Sequence, residues 1–314
     1  MITWGINALN HGSSLAVFKS GKLQSLATCK DDEIDSSAIT RALHLGAPDR
    51  IFWYEHPWVK KARQIYAGQY STALDMSVLP KKYLNKIRVH YAPVTYTPHH
   101  GSHAAAGYYT SPFNHCAIVV LDAIGEFECA TIWEGLHGEM KKVWSRSYPH
   151  SLGIFYSAFT KLINLTPIKD EYLLQQMSDQ GDPNRFYFEV KAYMDSVLSM
   201  PKNLHRGVLD WPLPINNLQD QCDIAAAVQT VFEDQVSLIM DKARELTNAD
   251  SLVYMGGCAM NSKCNAKEMP KWRHVWSLPN PGDPSSSIGA VLYHTKQRVW
   301  DYKWDPVKHL EIKI

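Results

Sequence analysis

Apolar and polar positions along this chain fall into two similar blocks. Ile2–Ala8 is apolar-rich, and Ser14–Lys19 follows the turn-forming Asn10-His11-Gly12-Ser13. Ser20-Gly21 then leads into Leu23–Thr28. Short apolar runs punctuated by Gly, Asn and Ser predict an antiparallel meander. A helical stretch at Ser36–Leu45, a strand at Arg50–Tyr54 and a helix opened by Pro57 and running to Tyr66 come next. The second block starts with His99–Tyr109, which is Ala-rich and helical in period. The β run Cys116–Leu121 follows, ending in Asp122. Cys129–Trp133 and Met140–Ser145 make a second meander, and Leu152–Ile163 an amphipathic helix. Residues 169–214 mix helix formers with Pro, Gly and Asn and read as an insertion or lid. From Asp223 to Leu246, Val228, Val231, Phe232, Val236, Ile239 and Ala243 share one helical face. Leu252–Met255 is a short buried strand ending at Gly256-Gly257. A helix, a strand at His274–Ser277 and a last helix from Ser286 to Lys296 complete the pattern. Two meanders, each followed by helices, predict an α/β fold with mixed sheets. The expected division is 1–120 for a first lobe with a helical insertion and 121–314 for a second lobe with the insertion at 169–214. Whether the halves are duplicates is open at this stage.

Composition changes this picture little. With 45% hydrophobic and 20% charged residues the chain is an ordinary globular one. Its net charge of +1 supplies no long-range pull toward nucleic acid or acidic lipid. The longest apolar runs are too short to cross a bilayer, and Met1-Ile2-Thr3-Trp4 carries no basic n-region. The expectation is an intracellular, cytoplasmic protein without a membrane partner. Six scattered cysteines form no C-x-x-C pair and read as free thiols in a reducing compartment.

His99 and His103, spaced i, i+4 on a helix, put two imidazoles on one face, as adjacent positions on one metal require. Taken alone, the pair is equally two surface or capping histidines. Asp122 ends an apolar strand and needs a cation, donors or a proton there; a turn cap is the alternative. Gly256-Gly257-x-Ala259-x-Asn261 opens a helix after a strand, which suits close approach of a phosphate or adenosine, or simply a tight turn. Asp283 precedes a helix as a cap or as a hard oxygen ligand. His11 stands with Ser13 and Ser14 in the first turn, where a histidine suits a base and hydroxyls suit phosphate. Trp53, Tyr54, Trp58, Lys60, Lys61 and Arg63 place aromatics beside bases, either to stack on a nucleobase or as an amphipathic helix edge.

The order of these elements is more specific than any one of them. His99–Ala105, Leu121–Glu126, His150–Ala158, Asp223–Gln229, Gly256–Asn261 and Pro281–Ala290 together resemble the N-terminal half of the nodulation and antibiotic O-carbamoyltransferases. There is also similarity to the threonylcarbamoyl-transferring enzymes that modify tRNA. The resemblance implies a duplicated ribonuclease-H-like fold of the actin, sugar-kinase and Hsp70 ATPase superfamily, with the active cleft between lobes. It implies a metal on His99, His103, Asp122 and Asp283, usually iron; two imidazoles and two carboxylates suit iron(II), manganese or zinc alike. It implies ATP as cofactor and a carbamoyl-adenylate donor made from carbamoyl phosphate, with a nucleotide site at Gly256, Gly257 and Asn261, joined by Ser13, Ser14 and Lys30. The acceptor is a hydroxyl compound, with a small molecule or a hydroxymethylated pyrimidine in a nucleotide or DNA as the candidates. His11 is the candidate base and His150 the runner-up.

The chain departs from the family in three places. The adenylate-forming second domain is not seen after the Lys296 helix and a charged tail, so a separate adenylate-forming protein is a candidate partner. An acidic-Arg-Phe run expected before residue 30 is reduced to Lys30-Asp31. The stretch after Asp170-Glu171-Tyr172 reads Leu173-Leu174-Gln175-Gln176-Met177-Ser178-Asp179-Gln180-Gly181 in place of the family's own. The alternatives to a carbamoyltransferase are a tRNA threonylcarbamoyl transferase, against which Gly101 stands where a Glu is expected, and a non-catalytic nucleotide-binding partner.

Overall fold

The computed structural model describes residues 1–299 apart from 195 and 197. The end of the expected second lobe, 300–314, and with it most of the charged tail, lies outside the described residues.

The first meander is β1 (Ile2–Asn7), β2 (Ser13–Lys19) and β3 (Lys22–Cys29). After α1 (Ser36–Leu45), β4 (Arg50–Trp53) returns parallel to β1. Helices α2 (Pro57–Tyr66), α3 (Tyr70–Leu74) and α4 (Pro80–Lys86) then lead to β5 (Val94–Tyr96), which is parallel to β4. Helix α5 (His99–Thr110) links to the second half. There β6 (His115–Gly125), β7 (Glu128–Leu136) and β8 (Glu139–Ser147) form another antiparallel meander. Helices α6 (Leu152–Leu162), α7 (Glu171–Met177), α8 (Tyr187–Lys191) and α9 (Leu218–Thr247) precede β9 (Ser251–Met255). Finally come α10 (Ser262–Glu268), β10 (His274–Trp276) and α11 (Ser286–Thr295).

The sheet orders are β3-β2-β1-β4-β5 and β10-β9-β6-β7-β8. Read from the meander outward, they are the same order. This is the duplicated ribonuclease-H-like α/β architecture expected from the motif order. The expected division at residue 120 falls inside β6, and α11, although last in the chain, packs on β1 and α5 of the first half.

Strand alternation explains how the core is divided. Ala117, Val119 and Leu121 face the cluster formed with α6 and α9. Cys116, Ile118 and Val120 face a second cluster with the first sheet, α5 and α11. The α9 stripe Val228, Val231, Phe232, Val236, Ile239 and Ala243 is buried as its period predicts. Helices α5 and α11 run together between the sheets with almost no room to spare. A Cβ on Gly289 would stand 1.7 Å from the Ser102 carbonyl oxygen. All six cysteines are free thiols, five of them buried. Among the described residues, no helix is long and apolar enough to cross a membrane.

Three local readings differ from the sequence. Helices α3 and α4 are too short to show a period. β6 runs past Asp122 to Gly125, because a bulge between Leu121 and Gly125 lets the strand continue. The expected helix after Gly256-Gly257 is a single 3-10 turn, Gly257–Met260, before α10.

Candidate metal centre

The carboxyl ends of β1, β4, β6 and β9 gather at one cleft, where ligands of open α/β sheets bind. Residues 99–103 form the first turns of α5, which bring His99 and His103 one above the other. Their Nε2 atoms stand 3.2 Å apart. Asp122 Oδ2 lies 3.3 Å from His99 Nε2 and 3.4 Å from His103 Nε2. Asp283 Oδ1 lies 3.4 Å and 3.3 Å from the same two atoms. One ligand atom from each of the four lies within 4.8 Å of all the others.

Both imidazoles are buried, and the carboxylates are about 15% exposed. Burial by itself lowers the pKa of both histidines, but the facing Asp283 and Asp122 carboxylates outweigh it and raise them. Burial pushes both aspartates up, and the histidines outweigh it and pull them down. The four groups therefore hold one another's charge. With neutral imidazoles, two nitrogen lone pairs and two anionic oxygens converge on one point. That donor set fits a divalent cation.

The surrounding residues fix these ligands. Asn10 Nδ2 donates to Asp283 Oδ2 at 3.0 Å, and Asn7 Nδ2 donates to the Asp283 carbonyl at 3.0 Å. Ala123 N–H donates to Asp122 Oδ1 at 2.8 Å. Gly125 lies against the His99 ring so closely that a Cβ would be 2.2 Å from Cδ2. Tyr54 meets the same ring edge-on, with centroids 5.4 Å apart. His100, between the ligands in sequence, turns away: its Nδ1 pairs with Thr131 Oγ1 at 3.0 Å, and burial pulls its pKa well down.

The glycine loop borders the cluster. Gly256 takes a φ of 94°, which favours glycine, and a Cβ there would be 2.2 Å from the Leu121 carbonyl oxygen. Its N–H donates to Pro281 O at 2.9 Å, tying the loop to the Asp283 segment. A Cβ on Gly257 would come 3.1 Å from Asp122 Oδ1. Asn261 is used structurally: its Oδ1 accepts from Cys264 N–H at 2.9 Å, and its amide pairs with Gln229 in both directions at 3.0 Å.

The other sequence candidates are spread out. Ser13 and Ser14 are wholly buried. They occupy successive positions of β2, so their side chains take opposite faces. Lys30 and His11 are exposed. His11 adjoins Asn10, the residue that touches Asp283. His150 accepts from the Met200 N–H through Nδ1 at 3.1 Å, which puts its proton on Nε2. Burial and then nearby Arg146 lower its pKa. A ring so held meets a substrate with an N–H, not with the lone pair a base needs. Of the two readings of Trp53 to Arg63, the structure favours the helix edge: Trp53, Tyr54, Lys61 and Arg63 are buried and Trp58 is exposed. Lys61 Nζ donates to the Ala73 and Asp75 carbonyls at 2.8 and 2.7 Å, and Lys60 pairs with Glu55 at 2.8 Å. Sequence reasoning passed over Asn7 and Gly125 as site residues, and offered Tyr54 only as a stacking aromatic and Asn10 only as part of the first turn. Of Asn7 and Gly125, only Asn7 was signalled, by the Asn-rich turn.

A family model described as "Carbamoyltransferase N-terminus" matches residues 21–292. A Synechocystis protein, sll1178, is 25% identical over 92% of this chain and 56% of its own length. Nodulation protein NolNO of Sinorhizobium fredii is 23% identical over 68% of this chain and 34% of its own. The chain thus spans about half, or less, of the length of these relatives. Among solved structures, HypF of T. kodakarensis superposes with a TM-score of 0.53 at 12% identity, over 94% of this chain and 47% of that one. That likeness is one of fold.

Proposed function

The chain belongs to the carbamoyltransferase N-terminus family, and from that premise we propose that it transfers a carbamoyl group to the hydroxyl of an acceptor. One observation carries the reading: two imidazole nitrogens and two carboxylate oxygens meet within 4.8 Å at the carboxyl edge of the strands, beside a glycine loop. His99, His103, Asp122 and Asp283 would hold the metal, with iron(II), manganese and zinc all suited to the donor set. When bound, such an ion supplies Lewis-acid polarisation of an oxygen of the transferred group.

The chain's own residues do the rest. Asn10 and Asn7 hold the Asp283 segment in place. The backbone at Gly256-Gly257 offers the approach for a nucleotide, ATP or the carbamoyl-adenylate formed from carbamoyl phosphate. His11, exposed on the β1–β2 turn, is our candidate to take the acceptor's proton. The acceptors we favour are a hydroxylated small molecule and a hydroxymethylated pyrimidine in a nucleotide or DNA. A separate adenylate-forming protein is the proposed source of the donor where the chain does not make it.

The test is a panel of hydroxylated acceptors, hydroxymethylpyrimidine DNA included. Each is incubated with the metal-loaded protein, ATP and carbamoyl phosphate, with and without an adenylate-forming domain from a relative. A product heavier by one carbamoyl group supports the reading. Metal-replete protein that modifies nothing and binds neither nucleotide nor carbamoyl phosphate sinks it.

A further inference from the structure

At one edge of the first sheet a buried polar side chain stands at the same register at the end of β1, near the start of β2 and just past β4. Asn7 on β1 lies opposite Ser14 on β2. The parallel β1–β4 ladder pairs Ile6 with Trp53, and Tyr54 N–H donates to Ile6 O at 3.1 Å, so Tyr54 comes level with Asn7. Paired residues on neighbouring strands project to the same face. Here that face looks toward α11 and the Asp283 segment: Asn7 Nδ2 donates to Asp283 O, and Phe52, two residues before Tyr54, stacks on His294 at 4.9 Å.

Ser14, Asn7 and Tyr54 are wholly buried. Ser14 Oγ and Asn7 Oδ1 nevertheless have no hydrogen-bond partner in the protein, and the Tyr54 hydroxyl makes no close one, although the Glu55 and Asn10 side chains stand beside it. Native interiors leave few polar atoms unpaired. Three in one row, next to a cluster of metal-ligating side chains, mark a wall built for a polar ligand.

The chemistry of the row selects the ligand. Asn7 has its Nδ2 engaged by Asp283 O, so its free Oδ1 can only accept. The Tyr54 phenol carries an O–H that can donate, and Glu55 and Asp283 lie beside it. Those two carboxylates also disfavour an anion at this point. A neutral group offering one acceptor and one N–H donor fits. We propose that Tyr54 and Asn7 bind the carbamoyl group itself, the phenol donating to its C=O and the Asn7 carbonyl accepting from its NH2. This rests on the carbamoyl-transfer reading and assigns within it the residues that tell a carbamoyl from an acetyl group.

The test is calorimetric titration of carbamoyl phosphate and of acetyl phosphate into the full chain loaded with Mn(II). Wild-type protein is expected to bind carbamoyl phosphate about tenfold or more tightly than acetyl phosphate, which lacks the NH2. Tyr54→Phe keeps the ring against His99. It is expected to weaken both acyl phosphates about tenfold while Mn(II) affinity stays within about twofold. Its Tm should be equal or higher, because the lost hydroxyl had no close protein partner. Equal wild-type affinity for the two acyl phosphates overturns the assignment. So does unchanged binding in Tyr54→Phe, or a loss of Mn(II) instead of acyl phosphate. A wild-type protein that holds Mn(II) yet binds neither acyl phosphate overturns the assignment, and one that also ignores a carbamoyl-adenylate analogue overturns the transfer reading.

Discussion

Helices α5 and α11 hold equivalent places in the two halves, each following the fifth strand of its sheet. Both are made of small residues where they meet, and both deliver a ligand near their N-terminal end. They differ in what they deliver. α5 carries His99 and His103 on its own first turns, whereas α11 is preceded by Asp283 in a short turn fixed by Asn7 of β1 and Asn10 of the β1–β2 turn. The imidazoles are placed by helix geometry, with Gly125 and Tyr54 against the His99 ring; the carboxylate is set by a loop that other segments must hold. A duplicated fold thus puts like elements on both sides of a cleft, and the side chains on them divide the proposed work of ligation.

The comparison is broken most severely by removing a ligand on either side. His103→Ala and Asp283→Ala are each expected to lower Mn(II) affinity by about 100-fold or more, read by equilibrium dialysis. If one of them binds normally, the four-ligand unit is wrong. Next comes the contact between the two helices. Gly289→Ala drives a Cβ into the Ser102 carbonyl and should cost about 3 kcal/mol in urea unfolding, since backbone cannot step aside as a flexible side chain can. A near-neutral result would mean the helices are looser than drawn.

A third effect tests the latch between halves. Glu126 Oε1 accepts from His56 N–H at 2.5 Å, and its carbonyl accepts from Arg63 Nε at 3.2 Å, so it joins the β6–β7 turn to α2. Burial pushes its carboxyl up to about 7 from an ordinary 4.5. Between those values the folded protein binds more protons than the unfolded chain. Stability contributed here is complete below pH 4.5 and is lost as pH rises through 7. Metal-free wild type should therefore lose on the order of 2 kcal/mol across that window relative to Glu126→Gln. Parallel pH profiles for the two proteins would remove the latch from the account.

The smallest effect sharpens the asymmetry between helix-set and loop-set ligands. Asn10→Ala, which frees Asp283 Oδ2 but touches neither histidine, should weaken Mn(II) binding about tenfold. An effect equal to loss of Asp283 itself would make Asn10 a ligand rather than a support.

Local pattern determined much of this protein. Alternation marked both meanders, the 3.6-residue period marked α9, and the i, i+4 spacing put His99 and His103 on one face, because these depend on neighbours within a few residues. The order of the motifs identified the family and singled out His99, His103, Asp122 and Asp283 as candidate ligands. Tertiary structure alone decided that Asp122 and Asp283, 161 positions apart in the numbering, face the same two nitrogens. It decided also that Asn261 is spent on capping α10 and on Gln229, and that Trp53, Tyr54, Lys61 and Arg63 are buried rather than displayed. Strand register set the row of Ser14, Asn7 and Tyr54. Which strands pair, and at what offset, is fixed by packing across the whole sheet, and no short window of sequence contains it.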